Sequence, residues 1–173
     1  MKISLTKLFA QDGKSEKYEI PLTSETFSIG GQDYRVIEKH PVILGLTHEG
    51  NRVITITGNA DLTMEIPCAR CLTPVATPFQ LEFDLQIDLN LSEREEKEED
   101  SSFVEGDELD VEELVRNELI VQWPIRVLCK DDCKGICSRC GANLNIQTCD
   151  CDTTGLDPRM AAIKDIFSKF KEV

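Results

Sequence analysis

The chain has 173 residues, a formal net charge of −13, eight cysteines and only two histidines. That length suits one domain, or one domain with a small appendage, and buries about 70% of the unfolded surface, so a core forms without covalent help. No stretch reaches the roughly 20 apolar residues of a membrane span, and the acidic balance argues against a surface that neutralises phosphates along its length.

Met1 to Phe9 has no long apolar centre and no small-residue cleavage site. It reads as a first strand rather than a signal peptide. The expected location is therefore the reducing cytoplasm, where clustered cysteines hold metal more often than they cross-link. Residues 1–91 are dominated by alternating, β-forming segments. Lys2 to Leu8 comes first, and Tyr18 to Leu22 follows as an edge segment because Pro21 cannot donate to a ladder. Tyr34 to Ile37 lies after the Gly30-Gly31 turn. Val42 to His48 and Arg52 to Thr57 flank Glu49-Gly50-Asn51, which reads as a hairpin turn with Gly50 free to take positive φ. Ala60 to Ile66 and Phe79 to Leu91 complete the set, the last with every apolar residue on one parity. Strands without intervening helical patterns predict an antiparallel sheet or open barrel.

Ten of the thirteen net negative charges fall between Ser92 and Glu118. Residues 92–108 are expected to be an acidic flexible linker, too poor in apolar groups to offset their ordering entropy. Residues 109–128 read as a helix with an extension: Asp110 caps it, Glu112 and Glu113 sit near its positive end, and Trp123-Pro124 stops it. Residues 129–173 hold a cysteine-rich segment and a C-terminal helix, with Asp157 at its N-cap, Pro158 at its first position, and Met160, Ile163, Ile166, Phe167 and Phe170 on one side. The fold class is accordingly α+β.

Six cysteines fall between Cys129 and Cys151 in the spacing C-x3-C-x3-C-x2-C-x8-C-x-C, and Cys68-Ala69-Arg70-Cys71 adds another C-x2-C. A C-x2-C turn brings two thiolates to one ion, and zinc accepts four of them tetrahedrally. Cys137-Ser138-Arg139-Cys140-Gly141 fits such a turn, because glycine lets the backbone fold beneath the metal. Cys149 and Cys151 close that site from a short return strand, which must bend if both sulfurs are to reach one ion. Cys68, Cys71, Cys129 and Cys133 make a second zinc site tying the sheet to the C-terminal segment. The alternatives are one zinc site with four spare thiols, or disulfides in a secreted chain. With only Ile136, Ala142, Leu144 and Ile146 as apolar packing, residues 130–152 need the metal to fold, which makes its role structural.

His40 and His48 read as surface residues, and no P-loop, dinucleotide fingerprint or nucleophile elbow occurs. No catalytic set emerges, so the chain is expected not to be an enzyme. Lys130, Lys134 and Arg139, with Arg159, Lys164, Lys169 and Lys171, form a local basic set. Lys134, Arg139 and Arg159 are its candidates for partner binding, against ordinary surface charge.

The run Cys133-Lys134-Gly135-Ile136-Cys137-Ser138-Arg139-Cys140-Gly141-Ala142-Asn143-Leu144-Asn145, then Cys149-x-Cys151 and Asp157-Pro158-Arg159, resembles the YceD family. Cys68-Ala69-Arg70-Cys71-Leu72-Thr73-Pro74 and the acidic segment before Leu109 to Pro124 match it too. These are the large ribosomal RNA subunit accumulation proteins, small bacterial proteins with plastid relatives. The resemblance implies a role in synthesis, processing or stability of that RNA, or in large-subunit assembly. Its implied partners are ribosomal proteins, large-subunit ribosomal RNA or its precursor. A second reading is a redox-responsive zinc switch, in which oxidation joins the thiolates, ejects zinc and exposes a chaperone-like surface.

Overall fold

A computed structural model describes residues 1–92 and 103–151. It is mainly antiparallel β structure: β1 (Lys2–Ser4), β2 (Ser15–Ile20), β3 (Thr26–Ile29), β4 (Gln32–Lys39), β5 (Val42–Gly50), β6 (Val53–Pro67), β7 (Pro74–Asp88), the helical turn α1 (Leu89–Ser92), β8 (Val104–Glu105), β9 (Glu108–Asp110) and the helix α2 (Val111–Val121). Strand β6 organises the main sheet. Along one edge it pairs with β7 over its full length, from Val53↔Asp88 to Pro67↔Pro74. Its other edge is shared: β5 takes Val53 to Asn59 and β4 takes Leu62 to Met64, with β2 beyond β5 and β3 beyond β4. Among the described residues no ladder joins the outer strands, so the sheet is open rather than a closed barrel.

Alternation along β6 buries Ile54, Ile56, Ala60, Leu62, Met64 and Ile66, and along β7 it buries Phe79, Leu81 and Phe83. This is the period-2 pattern of a sheet with one face in the core. Helix α2 covers that core with Val111, Leu114, Val115 and Leu119, packing against β3 and β7. Burial of such side chains stabilises by about 2 kcal/mol each. Asp110 caps α2 by accepting from the backbone N–H groups of Glu112 and Glu113. Beyond Gln122, Trp123 stacks on Phe79, centroids 5.7 Å apart, and tilts against Tyr34 at 4.7 Å, which steers the chain back toward the head of the β6–β7 hairpin.

Several expectations change. The first strand ends at Ser4, and Leu5 and Leu8 are buried from the turn that follows. The segments read as Arg52 to Thr57 and Ala60 to Ile66 merge into one 15-residue strand, Val53–Pro67, with Arg52 left in the turn before it, because Gly58-Asn59 continues the ladder with β7. Gly50 does take positive φ (99°), at a shift in register, and the β5–β6 turn extends one residue further than expected, with Asn51 and Arg52 at φ 48° and 59° making the tight connection. That pair of positive φ values is the twist-matched hairpin turn. His48 is buried rather than superficial: its Nδ1 lies 3.2 Å from the Gln11 carbonyl, and its ring meets the edge of Phe9. The acidic stretch read as a linker runs into structure at its end, where Phe103 is buried and Val104 to Asp110 form the β8–β9 hairpin that pairs with β1. Only one helix longer than a single turn occurs among the described residues, which are mainly antiparallel β with that one covering helix; residues 157–171, read as a C-terminal helix, lie outside them.

The first turn of α2 is also held by charge. Glu112 accepts hydrogen bonds from the backbone N–H and hydroxyl groups of both Thr23 and Ser24, at 2.6 to 3.0 Å. Partial burial pushes its carboxyl up, but the Thr23 and Ser24 donors outweigh that and hold the pKa at about 2. A carboxyl depressed in the folded state stabilises it above its unfolded pKa of about 4.5, and that contribution is lost as pH falls through about 2. Glu112→Gln is therefore expected to cost about 1–3 kcal/mol at pH 7 and little at pH 2, measured by urea denaturation across that range.

Candidate metal centre

Strands β6 and β7 end on the pair Pro67↔Pro74, and the six residues between them form a turn that carries two cysteines. The ladder stops there because neither proline has an N–H to offer. Within the turn Cys68 N–H donates to the Thr73 carbonyl, and Leu72 N–H to the Cys68 carbonyl, each at 2.9 Å. Both sulfurs are thereby placed on one side. The Ala69 N–H donates to Val127 O at 2.9 Å, which draws the chain leaving α2 alongside and delivers Cys129 and then Cys133. The Sγ atoms of Cys71 and Cys129 lie 3.5 Å apart, and those of Cys68 and Cys133 3.8 Å apart. All four sulfurs of Cys68, Cys71, Cys129 and Cys133 lie within 4.8 Å of one another. Three of them are buried, and Cys129 is exposed.

The second group has the same local design. Gly141 N–H donates to the Cys137 carbonyl at 2.9 Å, as Leu72 does to Cys68. Gly141 and Leu72 both have positive φ, 73° and 61°. The first of these is legible from its glycine; the second is hidden because leucine holds a left-handed position that costs it about 1–2 kcal/mol. Cys137, Cys140, Cys149 and Cys151 gather within 4.8 Å. Cys149 and Cys151 do not sit on a return strand. Their segment is irregular, which lets sulfurs one residue apart turn toward a common point. Cys140 is exposed, Cys137 buried, and the other two are half-buried.

The electrostatics of the two groups run in parallel. Burial raises the Cys68 thiol, but backbone N–H groups of Arg70, Cys129 and Cys71 outweigh this and bring it down to about 6. The backbone N–H groups of Cys140 and Arg139 likewise bring Cys137 to about 6. Cys129 is pushed up to about 12, first by its hydrogen bond with Cys71, and Cys151 to about 12, first by Cys140. Neighbouring sulfurs cannot all ionise without a cation among them. All eight cysteines are free thiols, and each group of four can hold a metal ion.

The groups touch through Arg70 and the run Gly135 to Asn145. Arg70 donates from its guanidinium to the Cys133 carbonyl at 2.8 Å and accepts from Ile136 N–H at 3.1 Å. Gly135, at φ 80°, packs so closely that a Cβ would stand 3.1 Å from the Arg70 carbonyl oxygen. Asn145 donates to Cys133 Sγ at 3.3 Å, and Asn143 to the Thr73 hydroxyl at 3.4 Å. Arg70, Thr73, Gly135, Asn143 and Asn145 were not singled out by spacing; the two asparagines at alternate positions before Cys149 were the available signal. Of the basic residues considered for partner binding, Lys134 and Arg139 are exposed, as is Lys130, and Arg159 lies outside the described residues.

These features define a β-sheet protein whose longest hairpin is joined to an irregular cysteine-rich segment by one four-cysteine group, with a second such group inside that segment. The model of the family described as large ribosomal RNA subunit accumulation protein YceD matches residues 56–167, a span that includes all eight cysteines. This chain belongs to the YceD family. It is 41% identical over 44 residues to the large ribosomal RNA subunit accumulation protein YCED homolog 1, chloroplastic, of Arabidopsis thaliana, covering 25% of this chain and 14% of that protein. It is 27% identical over 120 residues to the uncharacterized protein YlbN of Bacillus subtilis (strain 168), covering 68% of this chain and 66% of that one. No solved structure matches.

Gly135→Ala forces a left-handed alanine against Arg70 and breaks the Ile136–Arg70 hydrogen bond. It is expected to cost about 2 kcal/mol, read as a lower melting temperature of the protein, whereas Ala142→Gly at a half-buried position nearby costs less.

Proposed function

We propose that this protein is a non-enzymatic cytoplasmic factor in the accumulation of large-subunit ribosomal RNA, with two structural zinc ions in its cysteine groups. The observation that carries this reading is the coincidence of the family match with eight sulfurs gathered in two sets of four. Zinc bonded to four thiolates at about 2.3 Å requires sulfurs about 3.8 Å apart, and the separations of 3.5 and 3.8 Å in the first group suit it. Bound zinc would supply folding free energy to a segment where Ile136 and Ile146 lie exposed and little apolar packing exists. Four protein ligands leave no open position for a substrate, which favours a structural role over a catalytic one.

The charge distribution supports a partner class. A chain at −13 is poorly suited to broad contact with phosphates but well suited to holding basic ribosomal proteins while RNA is made or folded. The acidic residues near α2 would take the basic partner, and Lys134 and Arg139 would contribute local contacts. No helix among the described residues is long and apolar enough to cross a membrane. A second reading, a redox-responsive zinc switch with chaperone-like activity, draws on one observation: each group leaves one cysteine exposed, Cys129 and Cys140.

Metal analysis of reduced protein with thiol titration tests the zinc reading: two zinc ions per chain and no reactive thiols are expected, and metal-free protein overturns it. In cells lacking the protein, large-subunit ribosomal RNA is expected to fall relative to small-subunit RNA, and the tagged protein to recover ribosomal proteins or that RNA. Recovery of neither overturns the partner assignment. Modest peroxide that releases zinc supports the switch, and full retention removes it.

A further inference from the structure

One residue in the loop that closes the second cysteine group donates to a sulfur of the first, and another donates to a hydroxyl beside a further sulfur of the first. Asn143 and Asn145 lie between Cys140 and Cys149, within the chain that closes the second group. Asn145 Nδ2 donates to Cys133 Sγ in the first group at 3.3 Å, while its Oδ1 accepts from Lys134 N–H at 2.9 Å. Asn143 Nδ2 donates to Thr73 Oγ1 at 3.4 Å, and Thr73 Oγ1 lies 3.2 Å from Cys71 Sγ. Once Cys71 is a thiolate, the Thr73 hydroxyl becomes the donor to it. Asn143 also anchors Asn145, whose backbone N–H and Nδ2 both donate to Asn143 Oδ1, at 3.0 and 2.9 Å. Its carbonyl accepts from Ile146 and Gln147 N–H, at the start of the path to Cys149.

We propose that the two groups form one coupled bimetallic unit, in which Asn143 and Asn145 are positioning residues that make occupancy of either group raise the metal affinity of the other. This rests on the metal reading above. The physical basis is that N–H···S hydrogen bonds strengthen as the sulfur becomes anionic. A first group with metal-bound thiolates at Cys71 and Cys133 therefore holds Thr73, Asn143 and Asn145 more firmly. Those asparagines in turn fix the loop that must bring Cys149 and Cys151 to Cys137 and Cys140. Cys133 N–H also donates to Lys130 O, and Ile136 N–H to Arg70 O, so ordering the first group also orders the backbone leading into Cys137. Little apolar packing in that segment competes with this, because Ile136 and Ile146 are exposed. Coupling in binding free energy is reciprocal, so the second group must assist the first by the same factor.

The test is cobalt(II) binding to the reduced full-length chain, followed by thiolate-to-cobalt absorbance and by native mass spectrometry of zero-, one- and two-metal species. Coupling predicts that singly loaded chains stay below the half expected at one equivalent for two equal independent sites. Asn145→Asp keeps the acceptor for Lys134 N–H but removes the donor to Cys133; Asn143→Ala removes the donor to Thr73. Each is expected to lower the second binding constant relative to the first about 10-fold and to let singly loaded chains accumulate, with circular dichroism of the β sheet unchanged. As a reciprocal check, Cys68→Ser/Cys71→Ser should weaken the second group by the factor by which Cys137→Ser/Cys140→Ser weakens the first. A metal distribution that neither asparagine variant changes overturns the coupling while leaving two zinc sites intact. A wild-type chain that takes up no cobalt overturns the metal reading itself, and the coupling with it.

Discussion

Sulfurs separated by 58 and 65 residues in the chain must meet at the Cys68–Thr73 turn, and most of the architecture can be understood from that requirement. Closing loops of this length costs entropy that thiol contacts alone do not repay. The long β6–β7 ladder offsets it in advance by fixing Cys68 and Cys71 at the head of a rigid hairpin. The incoming segment that carries Cys129 and Cys133 is then guided by contacts that contain no sulfur: Trp123 against Phe79 and Tyr34, and Ala69 N–H on Val127 O. The first group is thus assembled by the β fold, and the second is assembled from within one short segment leaning on the first.

This division of labour relates the local turns to the core. Helix α2 buries its apolar side against β3 and β7, and its end at Gln122 falls where the chain has to reverse toward the hairpin head. Asp110 and Glu112 secure the start of the helix, one by capping it and the other by gripping Thr23 and Ser24. A shift of α2 would move Trp123 and hence the approach of Cys129. Stability of the covering helix and order in the cysteine segment are linked through Trp123, which packs against both Phe79 and Tyr34.

The sequence alone determined the alternation of the strands, the Asp110 cap, the stop at Trp123-Pro124, and the likeness of the two C-x2-C turns, because each depends on neighbours within a few residues. It marked the eight cysteines and proposed their division into two fours, but spacing left one site or two open. His48 shows the limit of local reading: its flanking residues give a surface pattern, yet it is buried, with Phe9 and Gln11 from a distant part of the chain against its ring. Leu72 shows another, since nothing in Cys-Ala-Arg-Cys-Leu announces a left-handed leucine. Which sulfurs meet, that β4 and β5 share one edge of β6, and that Asn143 and Asn145 reach across to the other group were decided by tertiary structure. Those contacts join residues far apart in the chain or on opposite sides of a loop, where no short-range preference of the backbone can specify the partner.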